Sequence, residues 1–291
     1  MQKNVDIHIF DPKARTTALK RARKSFNHHN FLHKWADQIL ADRLEDVNRE
    51  FENAVQIGNL FKDSALKRSK KIKNIFTLDN ENADIISSYD TPPLKTHGLD
   101  LISSLLNLHS INDLPGTLIQ IRRALKPDGL FLAAMLGGET LYELRESLQY
   151  AELELKGGVS PRIFPFADKP QMGALLQRAG FALPVVDSEI LTVTYDDIFK
   201  LMRDIRGMGE GNVITQRNPL NPGKNLFFKA NEYYKSHYVD NSDRIIASFE
   251  IIFLIGWAPH ESQQQPLKPG SADARLAEAL ETKEIKAGET P

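Results

Sequence analysis

The chain has 291 residues, of which 41% are hydrophobic and 26% charged, so it is long enough to bury one large core. Its formal net charge of -1 gives no overall electrostatic case for nucleic acid or a membrane surface as a partner. The absence of cysteine excludes disulfides, thiol catalysis and cysteine-ligated metals. The longest apolar runs, residues 130–136 and 251–255, are far shorter than the ~20 residues of a membrane-spanning helix, and no apolar leader core follows Met1. We therefore expect a cytoplasmic protein.

Residues 1–50 are predicted to form an N-terminal helical segment. Residues 13–24 contain six basic residues and no acid, which is typical of a solvated helix face. The other interpretation is a basic arm that contacts nucleic acid, anionic lipid or an acidic partner. Residues 31–47 repeat apolar side chains at helical spacing. His29 and His33 have the i, i+4 spacing of a metal-binding pair, but no third ligand is evident, so we expect no metal site.

Residues 99–155 give the clearest structural signal, with the pattern strand, helix, strand, helix. Residues 99–106 are a short apolar run that suits a strand covered on both faces. Residues 114–125 carry apolar side chains at helical spacing, and residues 130–136 are a second apolar run of strand length. Residues 141–155 follow as another helix. A strand, helix, strand unit of this length implies a right-handed parallel crossover, hence an α/β sheet with helices on its faces.

The rest of the chain continues the alternation of helices and strands after an aromatic, proline-rich loop. We predict helices at residues 171–179, 196–208 and 225–238, and strands at residues 185–194 and 245–257, the last of them antiparallel. The long connection between these two strands is sufficient for a helical lid over a ligand crevice, at about residues 195–240. Residues 259–291 are predicted to be an extended or disordered tail.

The unit at residues 99–155 resembles part of class I S-adenosylmethionine-dependent methyltransferases, namely their fourth and fifth strands. The resemblance rests on an apolar strand that ends near Asn107, a helix opened by Asn-Asp-Leu-Pro, and Leu-Lys-Pro-Asp-Gly, which stops the helix and turns the chain before a buried strand. It implies a Rossmann-like α/β fold with a seven-stranded, mostly parallel sheet and helices on both faces. This chain adds N-terminal helices and a helical insertion to a methyltransferase-like domain at residues 51–258.

The resemblance places the first three strands at residues 51–58, 74–78 and 83–87. Between residues 79 and 84 there is no room for a crossover helix, which needs about a dozen residues. Either one helix is missing, or the second strand lies elsewhere in the chain.

S-adenosylmethionine is the cofactor that the resemblance implies, and four residues take the family's contact positions: Gly58, Asp79, Asp90 and Leu106. In the family, backbone amides after the first strand approach the methionine carboxylate and ribose, which is the position of Gly58. Asp79 would hold the ribose hydroxyls, and Asp90 would lie near the adenine amino group. The chain departs from the family pattern in the first loop, since Leu60 and Phe61 stand where the family has small residues.

The substrate side has four candidate residues: Tyr142, Arg145, Arg162 and Phe164. Arg162 and Phe164 belong to a loop of the kind that builds the ligand crevice at the carboxyl ends of parallel strands. No acid-base or nucleophile constellation stands out, so the catalytic residues stay unknown. Methyl transfer depends mostly on proximity and in-line approach, which is consistent with this lack of catalytic side chains.

Longer runs narrow the resemblance over roughly residues 99–268. They are NDLPGTLIQIRRALKPDGLFLAAMLGGETLYELRESLQYAE, GGVSPRIFPF, LLQRAGF, LMRDIRGMGEGN and IGWAPHESQ. These runs are similar to bacterial relatives of the mitochondrial complex I assembly factor that hydroxylates an arginine on an iron-sulfur subunit, and more distantly to the carrier-protein methyltransferases of biotin synthesis. The resemblance implies a methyltransferase-family protein that methylates or hydroxylates a protein partner, a subunit of respiratory complex I.

Two further hypotheses stay open beside an enzyme. A non-catalytic assembly factor would have kept the fold and lost cofactor binding, because the family motifs are intact outside the predicted pocket and altered within it. A nucleic-acid binder would use residues 13–24 and show a steep salt dependence, but the near-neutral charge leads us to expect no nucleic acid partner.

Overall fold

A seven-stranded sheet with the order β3-β2-β1-β4-β5-β7-β6 is the centre of the fold. The strands are β1 Phe51–Ile57, β2 Ile72–Asp79, β3 Ile85–Ile86, β4 Leu99–Leu105, β5 Leu125–Leu136, β6 Ala182–Tyr195 and β7 Ile245–Trp257. The five strands β1 to β5 run parallel, whereas β7 is antiparallel to both β5 and β6. The predicted seven-stranded, mostly parallel sheet is therefore confirmed, including its antiparallel last strand.

The computed structural model describes residues 8–58, 60–218, 220, 222–264, 278 and 280–282. The chain divides into two compact units, residues 1–259 and residues 260–291. In the second unit, the amide of Gln263 donates to the carbonyl of His260. Most of the predicted tail lies outside the described residues.

Seven α-helices flank the sheet in the described part of the chain. They are α1 Pro12–Ala22, α2 Phe31–Asp46, α3 Leu114–Ala124, α4 Tyr142–Lys156, α5 Lys169–Ala179, α6 Ile198–Gly207 and α7 Lys224–His237. Side-chain caps explain where several of them begin. The Asp113 carboxylate accepts from the Gly116 amide at α3, and Asp168 forms a capping box with Gln171 at α5. These short polar side chains satisfy amides that have no partner within the helix.

The two faces of the sheet support two separate apolar cores. Alternate residues of a strand point to opposite faces, so Leu130 and Leu132 of β5 belong to one core, while Phe131 belongs to the other. The first core contains buried residues of α2, α4, α6 and α7, and the second contains those of α3 and α5. Both faces are thus covered, which explains the continuous apolar sequence of the central strands.

Among the described residues, the amino half of the sheet lacks the usual crossover helices. β2 lies where the sequence places it, so the first of the two open alternatives holds: no α-helix connects β2 to β3, which is only two residues long. Between β1 and β2, the described residues form a single 3-10 turn at Leu66–Arg68. Phe61 and Leu66 from this connection pack with α2 into the first core, so that α2 covers the face that a crossover helix would cover.

The Lys-Pro-Asp-Gly sequence is not the turn that the sequence pattern predicts, because β5 already begins at Leu125. Asp128 has a φ of 61°, and its amide donates to the Ala258 carbonyl, while the Ala258 amide donates to Gly129. Pairing with the end of β7 therefore draws these residues into the sheet as an irregular strand start.

Candidate functional site

The carboxyl ends of β1, β2, β4 and β5 meet at one edge of the sheet and place the predicted cofactor residues there. Gly58 follows β1 with a φ of 92°, and its amide donates to the Leu78 carbonyl at 2.7 Å. The Asn107 side chain lies against the Gly58 α-carbon, where a Cβ would collide with it. Asn107 itself donates to the carbonyls of Ile57 at 3.2 Å and Leu105 at 2.6 Å. The space beside Gly58 is therefore filled by the chain itself.

Asp79, the last residue of β2, is fully buried and already paired. Its carboxylate lies 2.7 Å from the guanidinium of Arg23, which follows α1. The Tyr89 hydroxyl also contacts Asp79. Burial, followed by the negative charge of Asp79, raises the pKa of Tyr89 well above its ordinary value. The carboxylate expected to hold ribose hydroxyls is thus engaged by a cation and a phenol of the same chain.

The other two predicted cofactor residues also make contacts within the chain. Asp90 accepts from the Asn112 amide at 3.0 Å, and the Asp90 carbonyl accepts from the Thr117 hydroxyl at 3.1 Å, which fixes the loop before α3. Leu106 follows β4 with a φ of 53°, is buried, and donates its amide to Ala134 at 2.8 Å.

These residues do not fit S-adenosylmethionine in the arrangement that the structure shows. A ribose needs an accessible carboxylate, and Asp79 has none of its side chain exposed. The approach to Gly58 is filled by Asn107, and Phe61 is buried in contact with the ring of Phe26 at 6.5 Å between centroids. The pocket in this arrangement therefore supports no chemical step through this cofactor.

A buried polar cluster lies at the carboxyl ends of β4 and β5 and consists of Arg15, His33, His109 and Glu210. One oxygen of Glu210 lies 2.9 Å from the Arg15 guanidinium, and the other lies 3.0 Å from His109 Nε2. Arg15 also donates to the Gly209 carbonyl at 2.7 Å. His109 Nδ1 accepts from the Leu136 amide at 3.4 Å, which assigns the ring proton to Nε2 and makes Glu210 its acceptor.

Neighbouring charges in this cluster counteract the effect of burial on the pKa values of its members. Burial alone raises the pKa of Glu210, but the positive charge of Arg15 and the contact with His109 outweigh it and lower that pKa to about 2. His33 responds in the other direction, because burial lowers its pKa to about 4 although Glu210 raises it. Its Nδ1 has no hydrogen-bond partner among the described residues. At neutral pH the cluster holds an ionised Glu210, a cationic Arg15 and a neutral His33.

An apolar cavity of about 200 Å³ adjoins Glu210. Its walls come from the end of β5, from α4, from the loop after α4, and from α6 with the segment that follows it. Representative apolar lining residues are Leu136, Leu144, Phe164, Met208 and Phe249, and the charged ones are Arg162, Arg206 and Glu210. A cavity with apolar walls and few charged groups is a typical small-molecule or side-chain site.

The structure brings two of the four substrate candidates to this cavity. Arg162 and Phe164 line it, and Arg162 pairs with Glu152 at 2.6 Å. Tyr142 instead contacts the ring of Tyr238 at 5.9 Å, and Arg145 donates to backbone carbonyls of the β5–α4 connection. Neither of these two is among the residues that line the cavity in the described chain.

The sequence interpretation did not select the buried polar cluster. A histidine shortly after a buried strand was a usable signal for His109, and an acid between two glycines was one for Glu210. The i, i+4 spacing relates His33 only to His29, whereas in the structure His29 pairs with Asp204 at 2.7 Å. No group of three metal-binding side chains occurs among the described residues.

The order and direction of the strands define a methyltransferase-type α/β fold, and comparisons with known proteins agree. A family model described as "methyltransferase domain" matches residues 2–184, so the chain belongs to the methyltransferase-domain family. The chain superimposes on the YcgJ protein of Bacillus subtilis with a TM-score of 0.50, at 13% identity, over 78% of this chain and 100% of that one. At this identity the likeness concerns the fold alone.

Within this family the chain is similar to proteins with two named activities. It is 38% identical over 264 residues to the mitochondrial arginine-hydroxylase NDUFAF5 of Danio rerio, covering 86% of this chain and 82% of that protein. It is 35% identical over 181 residues to a malonyl-[acyl-carrier protein] O-methyltransferase of Xylella fastidiosa, covering 62% and 59%. The resemblance stated from the sequence motifs is thus confirmed.

The expectation of a cytoplasmic protein is wrong by this comparison, because the arginine-hydroxylase relatives are labelled mitochondrial. The small apolar runs on which it rested do not report on compartment. Separately, none of the described helices combines the length and hydropathy needed to cross a bilayer.

Proposed function

We propose that this protein modifies an arginine side chain of a protein substrate, by hydroxylation, in the assembly of respiratory complex I. One atom of dioxygen enters the side chain, and a reductant from outside this chain supplies the two electrons and two protons that convert the other atom to water. The relatives named as arginine hydroxylases support it, at 38% identity over most of both chains. The observation that carries the proposal is Glu210, a carboxylate with 10% of its side chain exposed, which lies at the wall of the apolar cavity and already binds the guanidinium of Arg15. The relatives carry enzyme names, so the comparison does not favour a non-catalytic factor.

Glu210 keeps capacity for a second guanidinium. A carboxylate offers about four lone-pair positions, and the structure uses one on each oxygen, toward Arg15 and His109. The low pKa of Glu210, about 2, keeps the group ionised at neutral pH. Charge-assisted bonds from a substrate arginine to this carboxylate would be short and strong, because only 10% of the Glu210 side chain is exposed to water.

The cavity walls suit the remainder of an arginine side chain. Three methylene groups separate the guanidinium from the backbone, and Leu144, Phe164 and Met208 offer apolar surface for them. We propose that residues 195–240 act as the lid predicted from the sequence, since α6 and the residues after it supply Met202, Ile205 and Glu210 to the cavity. The role of this chain is then to bind the guanidinium, orient it and exclude water.

The test is mass spectrometry of the iron-sulfur subunit of complex I from cells that contain or lack the protein. We expect one arginine to gain the mass of one oxygen only when the protein is present. A gain of the mass of a methylene group would mean that the protein methylates the arginine and does not hydroxylate it. An arginine that is unmodified in both cultures would contradict the proposal.

Variants of the cavity sharpen this test. Glu210→Gln should abolish the modification, while Glu154→Gln on the exposed side of α4 should leave it intact. Because Glu210→Gln also leaves Arg15 buried without its carboxylate, Ile163→Trp provides a second variant that narrows the cavity without a change in charge. If both cavity variants folded normally and still supported full modification, the cavity would not be the site.

A further inference from the structure

A second concavity, about 1050 Å³ in volume, lies between α1 and α6. We propose that this basic groove binds an acidic segment of the protein substrate and thereby presents one of its side chains to the apolar cavity. The inference rests on the proposed function and identifies the substrate class at the same site.

The groove carries an excess of positive charge that the described chain does not neutralise. Lys13 and Arg21 of α1 face it, as do Arg203 and Arg206 of α6. All four side chains are exposed, and none has a carboxylate partner in the part of the chain that the structure describes. The acid that lines the groove, Asp11, is engaged elsewhere: it caps α1 and pairs with Arg217 at 3.0 Å. A ligand with several negative charges is the complement of this surface.

The floor of the groove favours a polypeptide over a nucleic acid. Phe199, Met202 and Val213 supply apolar surface between the cations, and Phe199 is 37% exposed. A single-stranded nucleic acid requires several aromatic faces on which successive bases stack. Among the lining residues, Phe199 and the His29 ring are the aromatic groups, and His29 is held by Asp204. Acidic residues interspersed with apolar ones fit both features of the groove.

The groove and the apolar cavity share part of their walls. Met202, Arg206, Gly211 and Asn212 line both of them. Asn212 donates to the Pro161 carbonyl at 2.9 Å, which ties the segment after α6 to the loop that carries Arg162 and Phe164. A segment bound along α1 and α6 therefore passes the cavity at Arg206 and Asn212, where one side chain can turn inward toward Glu210.

The test measures binding by fluorescence anisotropy with the full chain and does not depend on turnover. The probe is a fluorescein-labelled peptide of alternating glutamate and leucine around one central arginine. Its control replaces each glutamate by lysine, and a labelled single-stranded oligonucleotide tests the other anionic polymer. We expect the acidic peptide to bind about tenfold or more tightly than either competitor, with affinity that falls as salt is added.

Two double variants locate the site. Arg21→Glu/Arg203→Glu reverses two charges in the groove and should weaken the acidic peptide by about tenfold or more. Lys24→Glu/Lys70→Glu makes the same change in net charge at exposed positions outside the groove and should leave affinity within about twofold. An equal loss of affinity in both variants would mean that the peptide is attracted by net charge alone, and would overturn the proposal.

Other outcomes separate this inference from the proposed function. No binding of the acidic peptide, or preference for the oligonucleotide, would overturn the groove as a peptide site while the arginine modification could still be observed in cells. Binding at the groove without modification of the complex I subunit would remove the proposed function and leave the docking surface in place.

Discussion

The guanidinium of Arg23 lies 2.7 Å from the carboxylate of Asp79, in a contact where Asp79 has no exposed surface. Asp79 ends β2, and Arg23 follows α1, so the pair fixes the N-terminal segment to the edge of the sheet where the family binds its cofactor. The pair is therefore structural in this chain, and it takes the carboxylate that a ribose would need.

Removal of Arg23 should be costly for stability. The variant Arg23→Met keeps an apolar stem but leaves the Asp79 carboxylate buried without its cation, for which we expect a loss of about 3–5 kcal/mol in the free energy of unfolding. Urea titration followed by circular dichroism measures it. The double variant Arg23→Met/Asp79→Leu removes both charges and should lose less than the single one. A single variant that is as stable as the wild type would show that the pair is not formed.

S-adenosylmethionine should not stabilise the wild-type protein. A ligand that binds only the native state adds about 2.7 kcal/mol when its concentration is a hundred times its dissociation constant. Because Asp79 and the space beside Gly58 are occupied by Arg23 and Asn107, we expect no change in the melting temperature at millimolar cofactor. The same measurement with Arg23→Met tests whether Arg23 blocks the binding of the cofactor. A clear rise in the wild-type melting temperature would contradict our interpretation of the pocket.

We expect Gly58 to contribute to the stability of the fold and not to the binding of a ligand. Its φ of 92° is unfavourable for any residue with a Cβ, and a Cβ would also collide with the Asn107 side chain. Gly58→Ala should therefore destabilise the protein by about 2 kcal/mol or more, as measured by urea unfolding. Adding Asn107→Ala should recover only part of the loss, since the backbone strain remains. Full recovery would show that the steric contact acts alone.

The segment β4, α3 and β5 could be predicted from the sequence because its signals are local. A capping aspartate, an apolar helix face and an uninterrupted apolar strand each depend on neighbouring residues, and their match to a known family extended the prediction to the entire sheet. The early start of β5 at Leu125 had no such signal. It depends on pairing of Leu125 with Leu99 of β4, across an irregularity in register, and on the hydrogen bonds of Asp128 and Gly129 with Ala258, which is remote in the sequence.

The candidate site was harder to predict for the same reason. Arg15, His33, His109 and Glu210 come from four separate segments, and no local pattern indicates that the four side chains meet. The Arg15 to Glu210 contact spans 195 positions of the chain. Gly58 and Asp79 were placed by family resemblance, which gives positions but not the occupants of the pocket. Arg23 and Asn107 take those places through tertiary packing that no local pattern encodes.

The neutral, buried His33 should make the protein less stable in mild acid. Burial lowers its pKa in the folded protein to about 4, whereas an unfolded histidine titrates near its ordinary value of 6.5. Between these two values the unfolded state binds a proton that the folded state does not, so the unfolded state gains as pH falls. The stabilisation is fully present above pH 6.5 and is lost progressively toward pH 4, by about 3 kcal/mol at most.

The variant His33→Gln isolates this contribution, because it removes the titrating group while the other acids and bases stay the same. Glu210 does not interfere in this range, since its folded pKa of about 2 and its ordinary value of 4.5 affect stability mainly below pH 4.5. Unfolding free energies from urea titrations at several pH values should decline more steeply for the wild type than for His33→Gln between pH 6.5 and 4.5. Parallel curves for the two proteins would mean that the pKa of His33 is the same in the folded and unfolded states, and would contradict the lowering of that pKa by burial.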